Sequence, residues 1–313
     1  MKFKILSLVF LCFNLCVVSC KKDDNDIPVI PERDRTEQQE EDKQLLIDYL
    51  ETHYYNASDF DGTNPNPNPS ISDLIITKLE EGESVPEGSR LLVNDTLMKL
   101  VTFAETKYEV YYLDLNTNVN PEAPSPTFAD NVVVNYEGFT LDNKVFDSAA
   151  TPVTFDLTSL IPGWRKVVPE FRTAEDFVEN EDGTVDFLNH GVGVMFIPSG
   201  LAYFSSGTAG IPAYSPIIFK FDLYQMSEND HDEDNVPSYK EDIDGDGELT
   251  NDDTDGDRIP DFFDPDDDGD GVNTINEDLD GPDGKGDGDP TNDIGKNGIP
   301  KYLDPEETES NLN

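Results

Sequence analysis

LIPGW (residues 160–164) holds the only tryptophan of a 313-residue chain, directly after a Pro-Gly pair and with no charge among the five. Proline suits the first turn of a helix, where its missing N–H has no intrahelical partner to lose. A short helix therefore starts at Pro162 or Gly163 and carries Trp164 in its first turn. An indole placed there either fills a core, as large aromatics mostly do, or floors a pocket.

The flanking segments are strands. TKYEVYYLDL (106–115) and NVVVNYEGF (131–139) are rich in Val, Tyr and Phe. IIFKFDLYQM (217–226) alternates, with Ile217, Phe219, Phe221 and Leu223 on one face and Ile218, Lys220, Asp222 and Tyr224 on the other. One fully apolar face predicts a half-buried, antiparallel sheet. Together with the short helix this gives an α+β fold, a twisted antiparallel sheet wrapped on one helix.

In order along the chain, VNYEG, KVFDS, VTFDL, LIPGW, MFIPSGLAYF and GIPAYSPIIFKFDL resemble the FKBP-type peptidyl-prolyl isomerases, the macrolide-binding immunophilins, over about residues 106–226. The resemblance implies the same sheet-on-helix fold and a proline pocket. Trp164 would be its floor, Tyr136, Phe146 and Phe219 its aromatic walls, and Leu160, Ile161 and Ile211 its rim. The Ile161 N–H would hold a substrate carbonyl, with Asp147 and Tyr203 as polar contacts beside the peptide. It implies catalysis without a cofactor, acting on proline-containing polypeptide clients. The sequence departs from the family at Val153, where a wall aromatic is common, and at Phe204, where glycine is usual. The loop before Ile211 is slightly short, and an acidic insertion spans about 169–190. That insertion reads equally as a substrate gate or as a surface loop.

A net charge of −46 excludes nucleic acid as a partner, because phosphate would be repelled at every approach. The three cysteines, Cys12, Cys16 and Cys20, all lie near the start, which leaves the rest of the chain without thiol chemistry. MKFKILSLVFLCFNLCVVSC has the layout of a secretory signal. VVSC (17–20) resembles a bacterial lipobox, which implies removal of residues 1–19 and lipidation of Cys20. More than one acyl chain gives lasting membrane attachment, so the expected location is the outer membrane of a Gram-negative bacterium. KKDDND (21–26) resembles the export signal of surface lipoproteins in the Bacteroidetes group; a plain hydrophilic linker looks the same, and both readings stay open.

After a linker to residue 35, Thr36 and Gln39 make a capping-box pattern ahead of a helix predicted over 37–54. That helix places Leu45, Leu46, Tyr49, Leu50 and His53 on one face, with His53 as a packing residue. TNPNPNPS (63–70) breaks any regular element. The domains expected are a helical extension over 36–105, the FKBP-like domain over 106–226 and an acidic tail over 227–313.

From residue 228 onward, 31 acidic residues face only 5 basic ones, more than half of the chain's net charge. The acids are spaced as calcium loops with ligands at positions 1, 3, 5, 7 and 12. Asp242, Asp244, Asp246, Glu248 and Asp253 form one loop, with Gly247 at the turn position. Asp253, Asp255, Asp257, Asp261 and Asp264 form the next, with Arg258 in place of that glycine. Asp266, Asp268, Asp270 and Glu277 form a third, and residues 293–304 read as a cap or decayed copy. The array resembles thrombospondin type 3 calcium repeats, because EF-hand helices are missing. Extracellular loops of this kind bind calcium at ~0.1–1 mM. Two functions stay open: a lipid-anchored isomerase, or a non-catalytic FKBP-like binding module stiffened by calcium.

Overall fold

The computed structural model describes residues 32–62, 68–116, 120–280 and 286–312. The signal segment and Cys20 lie outside the described residues.

Helix α1 (Arg35–Thr52) leads into three short strands, β1 (His53–Tyr55), β2 (Ile76–Lys78) and β3 (Arg90–Leu91), paired in the order β2-β1-β3. A single turn, α2 (Leu92–Asp95), precedes β4 (Leu97–Phe103). The main sheet follows with β5 (Thr106–Asp114), β6 (Asn131–Thr140) and β7 (Val145–Asp156). Helix α3 (Pro162–Val167), the hairpin β8 (Asp176–Glu179) and β9 (Val185–Leu188), β10 (Gly191–Ile197) and β11 (Ile217–Ser227) complete it. The six strands run β4-β5-β10-β11-β6-β7, every pairing antiparallel.

Helix α3 has Pro162 at its N-terminus, as the LIPGW reading expects, and packs Trp164 and Val167 against Val132, Val134, Phe219 and Phe221. Gly163 is needed for this approach, since a Cβ there would meet Ile197 at 2.6 Å.

The sheet is not half-buried. Its second face is covered by the N-terminal extension, where Leu46, Tyr49, Leu50, Ile71 and Leu74 join Leu113, Val192, Val194, Phe196 and Ile218 in a second core. The polar alternation of β11 hid this, because its polar residues are paired in place. Asp222 is 1% exposed and accepts from the Ile71 N–H at 2.9 Å, with His190 Nε2 at 3.3 Å. Lys220 pairs with Glu137 at 2.8 Å.

Helix α1 starts two residues before the predicted bound and ends two before it. Its cap is Asp34, which accepts from the N–H groups of Thr36 and Glu37, rather than the Thr36–Gln39 box. Leu45 is exposed, while Gln38, Gln39 and Asp42 are buried with Leu46, Tyr49 and Leu50. His53 is a packing residue, stacked on Tyr49 with ring centroids 3.7 Å apart. The 169–190 insertion forms the exposed β8–β9 hairpin, anchored by Phe187 stacked on Tyr224.

Candidate functional site

Trp164 sits at the centre of an aromatic cluster. Phe219 lies 5.2 Å from it, Phe221 5.7 Å, and Tyr136 and Phe155 5.9 Å each, between centroids. Phe146 reaches the cluster edge-on to Phe219 at 5.4 Å. Gly138 permits that meeting, because a Cβ there would fall 2.5 Å from the Phe219 ring and 2.7 Å from that of Phe146. The indole is 3% exposed, and Ile211 and Phe219 are buried with it. Tyr136, Phe146, Phe155, Leu160, Ile161 and Tyr203 are half-buried and form the rim. Phe155 was not among the expected wall residues. It stands two residues beyond Val153, on the same side of β7 by strand periodicity, and restores an aromatic wall where Val153 supplies none.

The polar groups gather at the rim. Tyr136 donates its hydroxyl to the exposed Asp147 carboxylate at 2.7 Å. Burial, reinforced by that bond and charge, pushes the Tyr136 hydroxyl up to about 12, so it stays a donor at neutral pH. Burial and then Asp147 raise Tyr203 as well. The N–H of Ile161, the residue capping α3, has no acceptor among the described residues. It is a free donor beside the rings, as a carbonyl-binding group requires.

The loop bearing Tyr203 is held from behind by α1. Asp42, with no exposed surface, accepts from the Ser199 N–H at 2.7 Å and its hydroxyl at 2.6 Å. Arg35 donates to the Gly200 carbonyl at 3.1 Å and lies 4.1 Å over the Phe204 ring. Phe204 takes the glycine-favoured conformation, φ +44°, and its ring is clamped by Arg35 and, edge-on at 5.1 Å, by Tyr214.

In the tail the carboxylates converge as their spacing predicts. Ligand atoms of Asp242, Asp244 and Asp246 lie within 4.8 Å of one another, as do those of Asp253, Asp255 and Asp257, and of Asp266, Asp268 and Asp270. Two oxygens bound to one calcium at 2.3–2.6 Å can be no farther apart than about 5 Å. At position 6 of each loop, Gly247, Arg258 and Gly271 have φ of +77°, +86° and +92°. Each donates its N–H to the position-1 carboxylate, Asp242, Asp253 or Asp266. Glu277 is 1% exposed with both oxygens unpartnered, and Asp266, Asp268 and Asp270 each keep one buried oxygen unpartnered. Such orphaned oxygens are costly without a cation, so the donor set fits a hard divalent ion.

Three expected ligands have other partners. The Glu248 carboxylate pairs with Arg165 at 2.8 Å and Lys166 at 3.2 Å, which docks the first loop on α3. Position 7 of such loops ligates through its backbone carbonyl, so the side chain is free to do this. Asp261 accepts from the N–H and hydroxyl of Thr254, which closes its loop internally. Asp264 is buried and accepts from the Asp266 N–H at 3.0 Å.

This strand order, with α3 laid across one face and aromatic side chains meeting over its first turn, defines an FKBP-like α+β domain. Residues 123–224 match the family model for FKBP-type peptidyl-prolyl cis-trans isomerase, and residues 231–289 match the one described as BamM C-terminal. The chain is 33% identical over 105 residues to the FKBP-type peptidyl-prolyl cis-trans isomerase FkpA of Escherichia coli K12, covering 33% of each protein. It is 30% identical over 109 residues to the peptidyl-prolyl cis-trans isomerase Mip of Coxiella burnetii, covering 34% of this chain and 40% of Mip. The crystal structure of FkpA from Escherichia coli aligns with a TM-score of 0.31 at 26% identity, over 41% of this chain and 51% of that one. The match thus spans about a third of the length of the curated FkpA relatives.

Proposed function

We propose that the protein is a peptidyl-prolyl cis-trans isomerase of the FKBP type, anchored through a lipid on Cys20 to the outer membrane of a Gram-negative bacterium, that assists folding of extracytoplasmic proteins. The observation that carries the activity is the conjunction at the rim: a free Ile161 N–H and the Tyr136–Asp147 pair beside an aromatic cluster centred on Trp164. No helix among the described residues is long and apolar enough to cross a membrane.

Rotation about an X–Pro bond crosses roughly 18–20 kcal/mol, because twisting removes amide resonance. The planar amide is the more charge-separated state, so moving it from water to an aromatic surface disfavours it relative to the twisted form. Ile161 N–H orients the substrate carbonyl, and Asp147 with Tyr136 and Tyr203 complements the polar edge of the peptide. No proton needs to move. Each ~1.4 kcal/mol of preference for the twisted form is worth tenfold in rate. The indole is 3% exposed, with the half-buried rings of Tyr136, Phe146 and Phe155 packed around it.

The acidic tail is proposed to take calcium in the loops over 242–277, as structural rather than catalytic ions. The orphaned Glu277 oxygens support that reading.

Trp164, as the only tryptophan, reports on the pocket directly. The macrolide ligands of the family should change its fluorescence saturably and compete with a proline tetrapeptide. Saturation with the uncatalysed isomerisation rate would favour the second reading, a binding module. A flat titration would contradict both.

A further inference from the structure

Residues 230–241, DHDEDNVPSYKE, lie just before the first of the calcium-type loops and have no glycine at the sixth position, where Asn235 stands. Their geometry is nonetheless that of the other three. Asn235 has φ +76°, matching Gly247 at +77°; asparagine is the non-glycine residue that most readily takes this conformation. Its N–H donates to Asp230 at 3.0 Å, the counterpart of the Gly247–Asp242, Arg258–Asp253 and Gly271–Asp266 bonds. The N–H of Val236 donates to Asp234 at 2.7 Å, as Glu248, Ile259 and Val272 do to Asp246, Asp257 and Asp270. Asp230, Asp232 and Asp234 thus fall at loop positions 1, 3 and 5, and Glu241 at position 12.

Burial supplies the independent sign of a ligand. Glu241 has no exposed surface, and neither of its carboxylate oxygens has a partner. One of these oxygens lies within 4.8 Å of carboxylate oxygens of Asp234 and Asp267, both 1% exposed and each with an unpartnered buried oxygen. Both oxygens of Asp232 are buried and unpartnered too. The charges that act most strongly on Glu241 are those of Asp234, Asp232, Asp267 and Asp230, all of its own sign. Buried carboxylates stripped of partners and facing each other call for a cation.

We propose that residues 230–241 form an additional calcium site, with Asp230, Asp232, Asp234 and Glu241 as ligands and Asp267 reaching in from the third loop to complete it. It extends the calcium reading of residues 242–277 but stands on separate groups. Asp267 makes it a cross-link: one ion would tie the start of the tail to its middle. The neighbouring His231 bonds Asp156, at the end of the strand that carries Phe146, Asp147 and Phe155, so the site lies where the tail meets the FKBP-like domain.

Calorimetric titration of the full chain, stripped of metal, with calcium chloride tests this. Glu241→Gln should bind one ion fewer than wild type, or bind it at least 100-fold more weakly, and should show a smaller calcium-induced rise in Tm. Asp232→Asn should read the same loss should Glu241→Gln fail to fold. A loop variant, Asp244→Asn with Asp255→Asn, should keep this site while losing others, which separates it from the rest of the array. Unchanged stoichiometry and affinity in both Glu241→Gln and Asp232→Asn would overturn the proposal, as would a wild-type chain that takes up no calcium.

Discussion

At Phe204 two residue-scale effects oppose each other. Its left-handed backbone costs a non-glycine residue roughly 1–2 kcal/mol, yet its ring is 5% exposed between Arg35 and Tyr214, and deleting a buried phenylalanine costs about 3–5 kcal/mol. Burial wins. Phe204→Gly should therefore lower stability in urea by about 1–4 kcal/mol even though the family resemblance implies glycine at this position; an unchanged or higher midpoint would contradict this. Asp147 behaves differently, being exposed and bonded only at the rim. Asp147→Val should reduce isomerisation about 10- to 100-fold with a Tm close to wild type. That range corresponds to ~1.4–2.7 kcal/mol of lost transition-state preference. Trp164→Ala is a poorer probe, since removing an indole from the core carries its own stability cost of about 3–5 kcal/mol.

Among the elements, the N-terminal extension carries a pH dependence. His53 is buried against Tyr49, and its Nδ1 bonds the Tyr49 carbonyl at 2.9 Å. Burial, and to a lesser degree Lys78, holds its pKa below 6.5, against the opposing pull of the Tyr49 carbonyl. The unfolded chain then binds the proton more readily than the folded one, so His53 lowers stability as pH falls through 6.5 and toward its folded value. Between pH 7.5 and 5.5 the change in urea midpoint should be less destabilising, or more stabilising, for His53→Phe, which keeps the stack, than for the wild-type chain; identical changes would contradict this. The legibility of these elements followed their chemistry. Helix α3 and the apolar face of β11 could be read because Pro162 and the Ile217, Phe219, Phe221, Leu223 alternation are local signals. The second buried face could not, because Asp222 and Lys220 look solvent-facing until His190, Ile71 and Glu137 are seen to satisfy them. The loop at 230–241 escaped the spacing pattern for a similar reason, since Asn235 does the work of the expected glycine.

At the scale of the whole molecule, residues 34–313 make one unit in which both additions to the FKBP-like sheet bear on the site's supports. Helix α1 holds the Tyr203 loop through Asp42 and Arg35, and the tail docks on α3 through Glu248 to Arg165 and Lys166. The aromatic cluster brings together Tyr136, Phe146, Trp164 and Phe219, with Phe155 added, while its backing comes from segments outside the family resemblance. The central claim is that these rings and donors accelerate rotation of an X–Pro bond. Measuring cis-to-trans conversion of a proline tetrapeptide against increasing protein tests it most directly. The rate should rise in proportion to protein concentration and return to baseline when the pocket is filled by macrolide; a rate that stays at the uncatalysed value throughout would contradict the account.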